Sequence, residues 1–82
     1  MKSFALEIRT PAKALLMERV TSLTVPASDG SLGVLADHAP LAVSLTAGQV
    51  TYHLEEGDNG ELAGNGGFLI VKNNQASILL KN

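Results

Sequence analysis

Asp37 and His38, followed by Ala39 and Pro40, are the residue types here that come closest to acid–base chemistry. An imidazole beside a carboxylate is the general-base half of a hydrolytic triad. The other half is a nucleophile held against the ring, with an oxyanion site beyond it. Ser31 and Ser44 are candidates only because they are near in sequence, and no nucleophile-elbow pattern surrounds either. The checklist for catalysis is therefore unfilled. The plainer reading is a surface turn whose Asp and His bond local backbone. Between the two lies a docking corner for a partner protein.

Other chemical suggestions are weaker. Gly64-Asn65-Gly66-Gly67 has the look of a phosphate loop, but such loops lead into a helix N-terminus, usually with a Lys or hydroxyl following. Here Phe68-Leu69-Ile70-Val71 follows, which reads as strand, so the glycines fit a bulge or a close approach of backbones. His38 and His53 are too few and too isolated for a metal site. Glu55, Glu56 and Asp58 lack the oxygen spacing of a calcium loop and read as a solvated hairpin tip. Phe4, Tyr52 and Phe68 are too few to stack bases and fall at apparent core positions. No cofactor is expected.

Composition narrows the field further. The 82 residues make one small domain, 1–82, with 45% apolar residues and no cysteine. A chain of this size buries about 60% of its unfolded surface. It has no disulfide or thiolate ligand to add. A net charge of −2, with six scattered Lys and Arg, argues against binding nucleic acid or an anionic membrane. The longest uncharged stretch, residues 39–54, is broken by Pro40 and Gly48 and alternates in polarity, so no membrane span is expected. Met1-Lys2-Ser3-Phe4 runs straight into alternation, unlike a signal peptide. A cytoplasmic location is expected, beside a membrane only through a partner.

The elements that must hold the corner read as strands. Phe4, Leu6 and Ile8 alternate with Glu7 and Arg9. Thr10-Pro11 ends that run. Residues 12–17 are ambiguous: Thr10 suits a helix cap, Pro11 a first helical position, and the segment itself favours helix. A helix so short needs packing to survive. Residues 20–25 read as strand, stopped by Pro26 and a turn over residues 27–30. Leu41, Val43 and Leu45 are expected inward, with a turn at Ala47-Gly48. Val50, Tyr52 and Leu54 alternate with Gln49, Thr51 and an outward, solvated His53. Residues 68–71 form a continuous apolar run, expected to be covered on both faces. Asn73-Asn74 suits a tight hairpin turn. Ala76, Ile78 and Leu80 form the last strand. Short strands with a turn signal every few residues predict an all-β sandwich or flattened barrel.

Four motifs stand in order along the chain. They are residues 4–11 (Phe-Ala-Leu-Glu-Ile-Arg-Thr-Pro), residues 25–35 with Asp29-Gly30-Ser31 at their centre, His38-Ala39-Pro40-Leu41, and residues 66–71 with Asn73-Asn74 behind them. Together they resemble the epsilon subunit of the bacterial F-type ATP synthase, called delta in mitochondria. The resemblance covers nearly the whole chain. It implies a flattened two-sheet β-sandwich of about ten short strands, and it turns residues 12–17 from helix to strand.

The resemblance implies a non-catalytic subunit of the central stalk, turning with the rotor and helping to couple ion translocation to ATP synthesis. Its implied partners are the gamma subunit and the membrane c-ring, on the cytoplasmic face of the cell membrane. Asp29, Gly30 and Ser31 match the family's c-ring side. Thr10, Asp37 and His38 match positions near gamma. Ser31 stands where many relatives carry an acid, a loss worth about 0–1 kcal/mol in an exposed ion pair. Asn65 replaces a common Ser, and Ile70 a common Glu. Most relatives continue with a C-terminal helical hairpin; none is expected within these 82 residues, and no ATP site is assigned to them. The alternative is a free-standing β-sandwich module that binds a glycan or peptide, since sandwiches host many functions. A small hydrolase using His38 is the weakest reading.

Overall fold

The computed structural model describes residues 2–81. Among them are six strands: β1 (Phe4–Arg9), β2 (Ala14–Ala27), β3 (Gly30–Leu35), β4 (Leu41–Leu54), β5 (Asn59–Lys72) and β6 (Gln75–Leu80). They form one sheet in the order β1-β6-β5-β4-β2-β3, and a further β1–β2 pairing closes five of them into a ring. β1 and β3 occupy one edge of β2 in succession, and β4 takes the other. The ring is flattened, with extents of 31 × 24 × 19 Å.

The all-β expectation holds, but the strand count is lower than about ten. β2, β4 and β5 each run fourteen residues. Each passes from one layer of the flattened ring to the other while keeping a ladder, so two short alternating runs belong to one strand. The expected turn at Ala47-Gly48 is absent for this reason: Ala47 and Gly48 stay paired with Asn65 and Gly64. Pro26 likewise does not stop β2. It pairs with Ser31 of β3, at the point where β2 loses its regular ladder to β4. A residue without an N–H is tolerated at such an irregularity.

Residues 12–17 show tertiary pairing overriding local propensity. Thr10 Oγ1 does accept from the N–H groups of Ala12 and Lys13, at 3.2 and 3.3 Å, as a helix cap would. Instead of a helix, an antiparallel ladder follows: Leu16 opposes Ile8 and Val20 opposes Phe4. One turn of helix offers no core face here, whereas the ladder carries β2 onward to Val20, Leu23 and Val25, all buried.

The core lies between the two layers. Phe4, Leu6 and Ile8 of β1, Leu69 and Val71 of β5, and Ala76, Ile78 and Leu80 of β6 are buried in register. Leu23, Val25, Val34, Leu45 and Val50 fill the remainder, with Leu41, Val43, Tyr52 and Leu54 half-buried at its rim. Gly67 marks where backbones come closest. A Cβ built there would lie 2.0 Å from the Leu79 carbonyl oxygen, and its φ is +152°. The ladder between β4 and β5 keeps one register past it. Of the two sequence readings, close approach is the correct one, not a bulge.

Candidate functional site

Three surface features bear on function: the Asp37-His38 corner, the turn at Asp29, and an apolar strip on the outside of β5 and β6. The corner is held by hydrogen bonds from distant segments. Asp37 has a left-handed backbone, φ 63°. Its N–H donates to Asn74 Oδ1 at 2.6 Å, and Asn74 Nδ2 donates to Asp37 Oδ1 at 2.9 Å. Lys2 Nζ meets Asp37 Oδ2 at 2.6 Å. The Lys2 hydrogen bond, the Asn74 hydrogen bond and the Lys2 charge, in that order, hold the Asp37 carboxyl below its ordinary range. Asp37 in turn raises Lys2 above its own. Asn73 and Asn74 both have positive φ, 53° and 58°, as a two-residue type I′ hairpin turn requires.

His38 is half-buried and its Nδ1 lies 2.7 Å from the Ala39 carbonyl oxygen. A carbonyl only accepts, so Nδ1 carries the proton and, in the neutral ring, Nε2 is an acceptor. Ser31 and Ser44 are not brought to it. Ser31 is the second residue of β3, about 13 Å of strand from Leu35. Among the described residues, neither serine hydroxyl bonds the ring. The described residues also contain no group of three His, Asp or Glu able to hold a metal.

Thr10 is 8% exposed, and its hydroxyl is committed to its own turn. It sits at the far end of β1 from the corner, because β1 runs parallel to β6 and Ala5 pairs beside Gln75. Thr10 and His38 are therefore separated by the length of a six-residue strand, roughly 20 Å. Asp29, Gly30 and Ser31 are exposed at the β2–β3 turn, with Gly30 at φ 116°.

Phe68, Ile70 and Leu79 are 56%, 54% and 44% exposed. They start beside the Arg9 end of β1, and the exposed Lys72 and Gln75 lie between Ile70 and the Asn73-Asn74 turn. Two sequence expectations fall here. Phe68 is not in the core, and the apolar run 68–71 is not covered on both faces. Leu69 and Val71 point inward, opposite Ile78 and Ala76, which sends Phe68, Ile70 and Leu79 outward together. Arg9 and Glu7 lie beside them, with a 3.5 Å contact between their charged groups. Met17, 69% exposed, opposes Glu7 on the far side of β1, with Glu7 and Ser77 between it and Ile70. The signal was available: strict alternation in β6 places Leu79 opposite to Ile78, and β5 must match it.

His53 differs from its expectation too. It is half-buried and its Nδ1 contacts Asn59 Oδ1 across the β4–β5 hairpin. It borders a shallow, hydroxyl-rich cleft that includes Ser22, Thr24, Thr51 and Glu61. The tip at Glu55 and Asp58 is exposed, and Glu55 accepts from Ser3 Oγ at 2.7 Å.

The family described as "ATP synthase, Delta/Epsilon chain, beta-sandwich domain" matches residues 3–82. The chain belongs to this family. The ATP synthase epsilon chain of Moorella thermoacetica is 42% identical over 79 residues, covering 96% of this chain and 59% of that protein. That of Solibacter usitatus is 42% identical over 74 residues, covering 90% and 54%. The epsilon chain of Chlorobium limicola is 35% identical over 81 residues, covering 99% and 92%. The chain thus spans a little over half the length of the first two and nearly all of the third. Two solved assemblies share the fold. A chain of the Euglena gracilis mitochondrial ATP synthase (OSCP/F1/c-ring) superposes with a TM-score of 0.90 at 24% identity, covering 98% of this chain and 51% of that one. A chain of the Tetrahymena thermophila mitochondrial ATP synthase central stalk and c-ring gives 0.82 at 18% identity, covering 99% and 65%. Among the described residues, no helix is long and apolar enough to cross a membrane.

Proposed function

We propose that the chain is the β domain of a non-catalytic rotor subunit in a membrane-associated F-type ATP synthase. It docks on gamma through the outer face of β5, β6 and β1. It meets the c-ring through the Asp29-Gly30-Ser31 turn, and it helps couple ion translocation to ATP synthesis from the cytoplasmic side. The observation that carries this is the strip of Phe68, Ile70 and Leu79, three large apolar side chains about half exposed side by side on the outer face of β5 and β6. A contiguous apolar surface rimmed by charge is what a protein interface requires. It begins beside the Arg9–Thr10 end of β1, one of the positions that the family resemblance puts near gamma, and runs along β5 and β6 toward the turn that holds Asp37 and His38. Thr10 then serves by shaping the turn that ends the strip, not by presenting its hydroxyl.

The free-standing binding module is less well supported. Phe68 does supply one exposed aromatic ring, but its neighbours Ile70 and Leu79 are aliphatic. That company suits a protein partner better than a sugar. Co-purification with the cognate gamma subunit tests the proposal: a stoichiometric complex is expected, and its absence would count decisively against docking.

A further inference from the structure

Asn74 has two roles in the fold. Its backbone, at φ 58°, forms the second residue of the β5–β6 turn. Its carboxamide reaches a residue 37 positions away, accepting from the Asp37 N–H and donating to the Asp37 carboxylate. A turn needs only the first role, and glycine would serve it. The second role fixes Asp37 in a left-handed conformation at both its backbone and its side chain, and Lys2 fixes the remaining carboxylate oxygen. His38 is the next residue. Its Nδ1 is committed to the Ala39 carbonyl. Pro40 restricts Ala39 to extended backbone. The imidazole is thus clamped from both sides in sequence, and Nε2 has no hydrogen-bond partner among the described residues.

We propose that Asn74 is a positioning residue that presets His38 as a fixed hydrogen-bond acceptor, complementary to an N–H or O–H donor on the docking partner. The inference rests on the reading that this corner faces gamma. Ordering a side chain before contact spares the complex the cost of ordering it afterwards.

Titration calorimetry of the chain against isolated gamma tests it. Asn74→Gly keeps a turn residue tolerant of positive φ and removes the carboxamide. It should weaken binding roughly three- to ten-fold, with unchanged far-ultraviolet circular dichroism. His38→Ala should weaken binding as well. The double variant should bind no more weakly than His38→Ala alone, because without the ring there is nothing left to preset. Asn74→Gly binding like the unsubstituted chain, or losses that add in full, would overturn the inference while leaving docking on gamma intact. Failure of the unsubstituted chain to bind would overturn both. A check without variants is amide exchange in the native chain. The Asp37 N–H should be protected although its residue is exposed, and exchange at the free-peptide rate would also overturn the inference.

Discussion

Asp37 and Asn74 grip each other by two hydrogen bonds, backbone to side chain and side chain to side chain, and so tie the β3–β4 corner to the β5–β6 turn. The Lys2 ammonium completes the cluster at 2.6 Å. Because these contacts favour the carboxylate, the folded Asp37 titrates below its ordinary value of 3.8. The stabilisation is fully present above that value and is lost as pH falls through the lower, folded one. The Asn74 side-chain amide and the Asp37 backbone amide should therefore shift together in nuclear magnetic resonance spectra, with a midpoint below 3.8. Asp37→Asn should remove the transition. A midpoint at or above the ordinary value would contradict the geometry.

Gly67 should tolerate no side chain. Its φ of +152° and the 2.0 Å approach to the Leu79 carbonyl mean that Gly67→Ala must move backbone, not a flexible side chain. A loss of about 2 kcal/mol or more is expected, which for a domain of this size lowers Tm by about 10 °C or more. Gly33 has open space around it and no positive φ, so Gly33→Ala should leave Tm nearly unchanged. Equal melting of the two variants would refute the assigned close approach.

Leu69 and Ile70 are adjacent, one fully buried and the other 54% exposed. Leu69→Ala should cost about 2–5 kcal/mol of stability by opening a cavity. Ile70→Ser should change stability by no more than about 0.5 kcal/mol while weakening gamma binding roughly ten-fold. Denaturant melts and binding titrations on the same two proteins separate these effects. An Ile70→Ser chain that binds gamma normally would remove the strip from the interface.

Charge at the β2–β3 turn is expected to matter to coupling. In reconstituted membranes, Asp29→Lys should reduce ATP-driven ion pumping more than His53→Ala does. His53 belongs to the β4–β5 hairpin, held against Asn59. Equal effects at the two sites would argue that the Asp29 turn makes no contact with the c-ring.

Much of the fold was legible because burial alternates. Phe4, Leu6 and Ile8, and again Ala76, Ile78 and Leu80, show period two without interruption, and all six are buried. The turn at Asn73-Asn74 was equally plain, since few residues accept two consecutive positive φ values. Residues 12–17 were not legible locally: their helix propensity is real, and only pairing with β1 decides against it. Phe68 misled because a continuous apolar run does not say which of its side chains face inward; only pairing with β6, where Leu69 opposes the buried Ile78, turns Phe68 outward. Asn74 was read as a turn residue alone. Nothing local to its position announces a partner 37 residues away.

The parallel contact between β1 and β6 has a consequence for biogenesis. β1 finds β2 early, as a near neighbour, but its other edge has no partner until Gln75–Leu80 has emerged from the ribosome. Contacts of such long sequence separation make for slow maturation. During synthesis the first strand therefore presents an open template, with Phe4, Leu6 and Ile8 still uncovered on one face. Misassembly through that edge should be the main hazard for the nascent polypeptide.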